Sequence, residues 1–101
     1  MNIGSLYVVK KYFWLLFPTK ETAAAASEMV DTIILTADDA ATFAAYRSKQ
    51  LKCEVTYFSP DSIITFLEEE GKFKKVLTSD GMIGWTWFFT KEYNCFKEVL
   101  S

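Results

Sequence analysis

A chain of 101 residues that is 50% hydrophobic and 17% aromatic has the length of one domain and enough apolar surface to fold without a metal or disulfide staple. Its net charge of −2 speaks against a general nucleic-acid binder, whose affinity comes from neutralised phosphates. With no histidine, and with Cys53 and Cys95 outside any Cys-x-x-Cys spacing, the usual zinc sets are excluded.

The opening Met1 to Ser5 has no charged stretch leading into a long apolar run. The early apolar run, Tyr12 to Phe17, is far short of the about 20 residues that span a bilayer as a helix. An intracellular, cytoplasmic protein without membrane contact is expected, with Cys53 and Cys95 as unbridged thiols. Ser5 to Phe17 is dense in Val, Tyr, Phe, Trp and Leu, which predicts two strands or one bent strand, ended by Pro18. Thr19 to Ser27 carries four consecutive alanines but no large apolar anchor, and a mobile loop with transient helicity is expected there. Met29 to Leu35 reads as a short strand. Thr36 is placed as an N-cap with Asp38 and Asp39 in the first turn, so a helix is predicted from Ala37 to about Lys49. Ala37, Ala40, Ala41 and Ala44 form its small stripe, with Phe43 and Tyr46 beside it.

Leu51 to Phe58 is the next expected strand, followed by a turn at Ser59-Pro60-Asp61-Ser62. Ile63 to Glu69, Lys72 to Ser79 and Met82 to Phe89 then read as a meander, turning at Glu70-Gly71 and Asp80-Gly81. Lys91 to Asn94 reads as a helical turn and Cys95 to Leu100 as a last edge strand. Taken as two-residue loops, the turns place Val76 opposite Trp85, Lys74 opposite Trp87 and Thr65 opposite Val76. One face of the meander then carries Ile63, Thr65, Leu67, Lys74, Val76, Ile83, Trp85 and Trp87. The other carries Ile64, Phe66, Phe73, Lys75, Leu77, Gly84 and Phe88. Neither face is clearly polar, which favours a small curved barrel over a flat sheet with one wet side. Gly84, expected across from Leu77, marks a place of close backbone approach.

Short turns, then Asp80-Gly81-Met82-Ile83-Gly84-Trp85, then a one-turn segment ending Tyr93-Asn94 and a final strand, resemble the C-terminal half of SH3-like barrels. In particular Asp-Gly-x-x-Gly-Trp is similar to the bacterial SH3 pattern. The likeness covers Ile63 to Leu100. The sequence departs from that pattern in three ways: Thr86-Trp87 replaces the usual proline, Lys75 falls at a core position, and the Ala37–Lys49 helix is an insertion. The resemblance implies one domain over residues 1–101, mainly β with one helix, an SH3-like small barrel with a helical insertion. A fainter likeness, from Gly4-Ser5-Leu6-Tyr7 through Phe17-Pro18-Thr19, is to small proteins of tailed-phage genomes.

Little in the chain points to catalysis. No histidine is available as a general base, and Gly4, Gly71, Gly81 and Gly84 form no phosphate-binding loop, so no cofactor is expected. Asp38 and Asp39 are accounted for by the helix start, and Glu68-Glu69-Glu70 by a solvated hairpin tip. The aromatics are too many for a core this small, since Tyr12, Trp14, Trp85, Trp87 and Tyr93 cannot all be central. The expected function is therefore a non-enzymatic interaction module that takes a protein or peptide partner on an aromatic surface made of Trp85, Trp87, Tyr93, Lys74 and Trp14. The alternative is a nucleic-acid-binding accessory protein of the KOW or Sm-like kind, using Lys10, Lys11, Lys72, Lys74 and Lys75 as one positive patch.

Overall fold

The aromatic first segment makes two strands, β1 (Leu6–Val9) and β2 (Phe13–Leu16), and they enter different sheets. The chain changes course between them at Tyr12, whose φ of 67° is one that a bulky residue rarely adopts. In this computed structural model, residues 2–29, 34–35, 37–88 and 94–99 are described. The remaining elements are α1 (Lys20–Met29), β3 (Ile34–Leu35), α2 (Ala37–Leu51), β4 (Thr56–Phe58), β5 (Ile63–Glu70), β6 (Phe73–Thr78), β7 (Ile83–Trp87) and β8 (Phe96–Glu98). A five-stranded antiparallel sheet has the order β7-β6-β5-β1-β8, and a three-stranded sheet the order β3-β2-β4. They meet where Phe17 and Trp85 exchange backbone hydrogen bonds, the Phe17 N–H donating to the Trp85 carbonyl (2.8 Å) and the Trp85 N–H to that of Phe17 (2.6 Å).

Among the described residues the mainly β expectation holds in this form: the sheets are open rather than closed into a barrel, and two helices pack on them instead of one. The unexpected helix is α1, in the alanine segment read as a mobile loop. Thr19 and Thr22 cap it reciprocally, with the Thr22 N–H donating to Thr19 Oγ1 (3.1 Å) and the Thr19 N–H to Thr22 Oγ1 (3.2 Å). Its anchors are small rather than absent. Ala23 and Ala26 are fully buried as the helix lies on β7 and β6, where short side chains allow close approach.

Helix α2 buries Ala40, Ala44 and Arg47 against β4 and β2, and turns Ala41, Phe43 and Tyr46 outward. It ends at Lys52, φ 54°, where the Cys53 N–H reaches back to the Ser48 carbonyl (3.2 Å), a Schellman closure built without glycine. No helix among the described residues is long and apolar enough to cross a membrane. Cys53 is half-buried and Cys95 buried, and neither is in a disulfide. Thr36 and the 30–33 part of the expected Met29–Leu35 strand lie outside the described residues, as does the Lys91–Asn94 turn apart from Asn94.

Both meander registers differ from expectation, the β6–β7 pairing by one residue and the β5–β6 pairing by two near its turn and by one beyond the bulge. Thr78 to Gly81 forms a turn closed by the Gly81 N–H on the Thr78 carbonyl (3.0 Å), with Gly81 at φ 92° and Thr78 bonded to the Met82 carbonyl (2.8 Å). The loop therefore holds three residues, the glycine serving as a left-handed bulge residue. Val76 faces Gly84, Lys75 faces Trp85, and Phe73 rather than Lys74 faces Trp87. At the other hairpin the two loop residues are Gly71-Lys72, with Glu70 facing Phe73, and a bulge at Leu67 shifts the pairing so that Phe66 faces Val76. Ile64, Phe66, Lys74, Val76, Thr78, Gly84, Thr86 and Trp87 are the buried positions of the meander. Beyond the strand, Phe88 joins Trp14 and Phe96 in a ring cluster with centroid separations of 4.7 to 5.8 Å.

Candidate functional site

The bulge at Leu67 builds the site. Ile64 and Phe66 point into the core, so strict alternation would send Glu68 inward as well. One extra residue reverses the phase, and Glu68 pairs with Lys75 on the outer face while Glu70 pairs with Phe73. Trp85 continues that row on β7 opposite Lys75. An open groove of about 690 Å³ lies here, with Trp85, Ile83, Pro18 and Ile3 as its apolar part. Glu21, Glu68, Glu69 and Glu70 line it against two lysines, Lys20 and Lys75, a local excess of acid. Ile83 is 57% exposed and Ile3 67%, so the apolar part is open to solvent, while Trp85 is half-buried.

The carboxylates hold lysine amines. Lys20 at the start of α1 crosses to Glu70 (2.5 Å), and Lys75 lies 3.8 Å from Glu68. Hydrogen bonding and attraction to Glu70 raise the Lys20 pKa above its ordinary 10.5. The triple glutamate is thus exposed, as a hairpin tip should be, and also paired. Nothing in the sequence spacing announced the pairing, because Lys20 arrives from a helix that was not expected.

Of the five residues expected to form a partner surface, Trp85 alone is both described and partly open. Trp14 is fully buried, its Nε1 donating to the Lys11 carbonyl (3.0 Å). Trp87 is 1% exposed and stacks on Phe17 with centroids 5.6 Å apart. Tyr93 lies outside the described residues. Lys74 is 2% exposed, its ammonium donating to the Gly71 carbonyl (2.8 Å), 3.5 Å from Glu69 and over the Phe88 ring. Outward aromatics that the sequence reading did not assign to the partner surface include Tyr46 (58%), Tyr12 (43%) and Phe43 (40%), the first and last on α2 beside its alanine stripe.

The five-lysine patch does not assemble. Lys10 follows β1 where Val9 bonds to Asp61 and Ser62, at the start of β5, whereas Lys72 sits past its far end. Eight strand residues separate these ends, roughly 26 Å at ~3.3 Å per residue. Lys74 and Lys75 are in addition neutralised by Glu69 and Glu68.

Lys74 carries a consequence for stability. Burial lowers its pKa below 10.5, and Glu69 only partly offsets this. The unfolded chain therefore holds that proton more tightly than the native state. Stability from this residue should rise as pH climbs through the window between the lowered value and 10.5. Lys74→Met keeps the buried stem and removes the charge without stranding another, because Glu69 is exposed. It is expected to leave stability unchanged or raise it by up to about 1 kcal/mol, and to flatten the alkaline rise seen in urea titrations at successive pH values. A loss above about 2 kcal/mol would show that the ammonium contacts stabilise the fold.

Among the described residues no group of three or more His, Cys, Asp or Glu is placed to hold a metal ion. What the groove offers is an exposed apolar floor, an indole face and carboxylates that accept cations. Compared with family models, curated proteins and solved structures, the chain matches none.

Proposed function

We propose that this domain is a non-enzymatic interaction module that holds an extended segment of another protein in the groove around Trp85. One observation carries the reading: a half-buried tryptophan lies beside two exposed aliphatic side chains in an open groove of about 690 Å³. Exposed aromatic grooves of this kind suit extended chains, whose alternate side chains can enter while the backbone stays along the surface. The SH3-like resemblance belongs to the same proposal. It is supported by the β-rich meander and by Gly84-Trp85 sitting where two sheets meet.

The test is to screen wild type and Trp85→Ala against an array of short extended peptides, with stability measured alongside. Trp85 is only half-buried, so its truncation should cost about 1–2 kcal/mol, less than the 3–5 of a fully buried aromatic. Binding to the peptides the wild type selects should be abolished. Selection that survives in Trp85→Ala would end the proposal.

A further inference from the structure

The groove does more than present a tryptophan: its carboxylates have a spacing. Glu68 and Glu70 are two residues apart on β5 beyond the bulge, so both belong to the face that holds Lys75 and Trp85. Side chains at i and i+2 of a strand repeat every about 6.8 Å. An extended peptide laid along that face has the same repeat. Two cationic side chains at alternate positions would therefore meet both carboxylates together, whereas two adjacent ones would point to opposite sides.

Resting on the reading above, we propose that the occupant is an extended protein segment with arginine or lysine at alternate positions and an apolar residue against Trp85 and Ile83. Charge complementarity selects it, since four glutamates line the groove against two lysines. The fold already shows the carboxylates receiving amines, through Lys20 on Glu70 and Lys75 on Glu68. Both pairs are solvent-exposed, and such pairs contribute little, so an incoming cation displaces them readily. A guanidinium has the added advantage of a two-pronged fork on a carboxylate, which an ammonium lacks. Lys20 acts as a strap that bridges α1 and the hairpin until the partner arrives.

Three peptides of matched length test this by fluorescence anisotropy. One carries arginines at alternate positions, one carries the same arginines contiguously, and one replaces the alternate arginines with glutamates. The alternate-arginine peptide should bind about tenfold or more tighter than the contiguous one, and the acidic peptide should not bind. Affinity should fall as salt rises, because exposed charges are screened. Glu68→Gln with Glu70→Gln should erase the preference for alternate spacing while leaving the thermal midpoint nearly unchanged. Lys20→Met, which frees Glu70, should tighten binding. Equal affinity for the two arginine peptides, binding of the acidic one, or no binding at all would overturn the inference. Should equal affinities still vanish in Trp85→Ala, the groove stands as a binding site and only the charge spacing fails. Tight binding that ignores Trp85→Ala would overturn both.

Discussion

Trp87→Ala should remove about 3–5 kcal/mol of folding stability, the cost of deleting a fully buried aromatic. For a domain of this length that lowers the melting temperature by on the order of 20 °C. The indole is 1% exposed, stacked on Phe17 at an interplanar angle of 22° and met edge-on by Phe73. Phe17 is the residue that joins the two sheets, so the cavity would open beneath the junction. The indole Nε1 has no hydrogen-bond partner among the described residues, so Trp87→Phe loses packing volume but no hydrogen bond. That variant should therefore cost clearly less than alanine. Trp85, two residues earlier on the same strand, supplies the contrast through its smaller predicted loss. Urea unfolding of the three variants decides the matter. Equal losses at both tryptophans would mean that Trp85 is core and the groove is not a surface. A small loss at Trp87 would mean that the stacking on Phe17 carries little of the fold.

The difference between these two tryptophans was not legible in the sequence, for a physical reason. Both occupy the outer face of β7, and what separates them is the cover Trp87 takes from the Phe17 ring, which arrives from a distant part of the chain. Strand existence was legible because β-branched and aromatic residues cluster between Pro18, Pro60 and the glycines. The second helix was legible through its acidic start and alanine stripe. The first was not, because small side chains give no hydrophobic period even when Ala23 and Ala26 are wholly buried. Register failed at both hairpins for one reason: a glycine marks a turn but not where its loop begins or how many residues it holds. Gly81 serves a three-residue loop and Gly71 opens a two-residue one. One signal was present and informative. A glutamate at position 68, next in phase after Ile64 and Phe66, would bury an unpaired carboxylate, and the bulge at Leu67 is how the chain avoids that cost. The same bulge aims Glu68 at the groove, so the candidate site follows from a local conflict in the sequence.

Gly84→Ala should cost about 3 kcal/mol, although it adds a single methyl group. A Cβ at this position would lie 2.6 Å from the Phe17 carbonyl oxygen and 2.7 Å from Leu16 Cγ. The first of these is backbone and cannot turn aside. Overpacking a tight interior typically costs about 1–3 kcal/mol. Here the displaced carbonyl also accepts the Trp85 N–H, and Phe17 donates in return. Weakening those two bonds would add roughly 0.5–1.5 kcal/mol each if they were lost outright. Close approach at Gly84 was expected from the sequence, though opposite Leu77 instead of Val76. The structure supplies the cause: the end of β2 packs directly over it. Gly71→Asn is the matched control, because a Cβ at Gly71 would meet nothing within 4 Å and asparagine tolerates its φ of 60°. That variant should lose less than about 1 kcal/mol. Amide exchange localises the effect: Phe17 and Trp85 should lose protection in Gly84→Ala before the β5–β6 pairing does. If Gly84→Ala is as stable as wild type and keeps Trp85 protected, the two sheets are not held together by this contact.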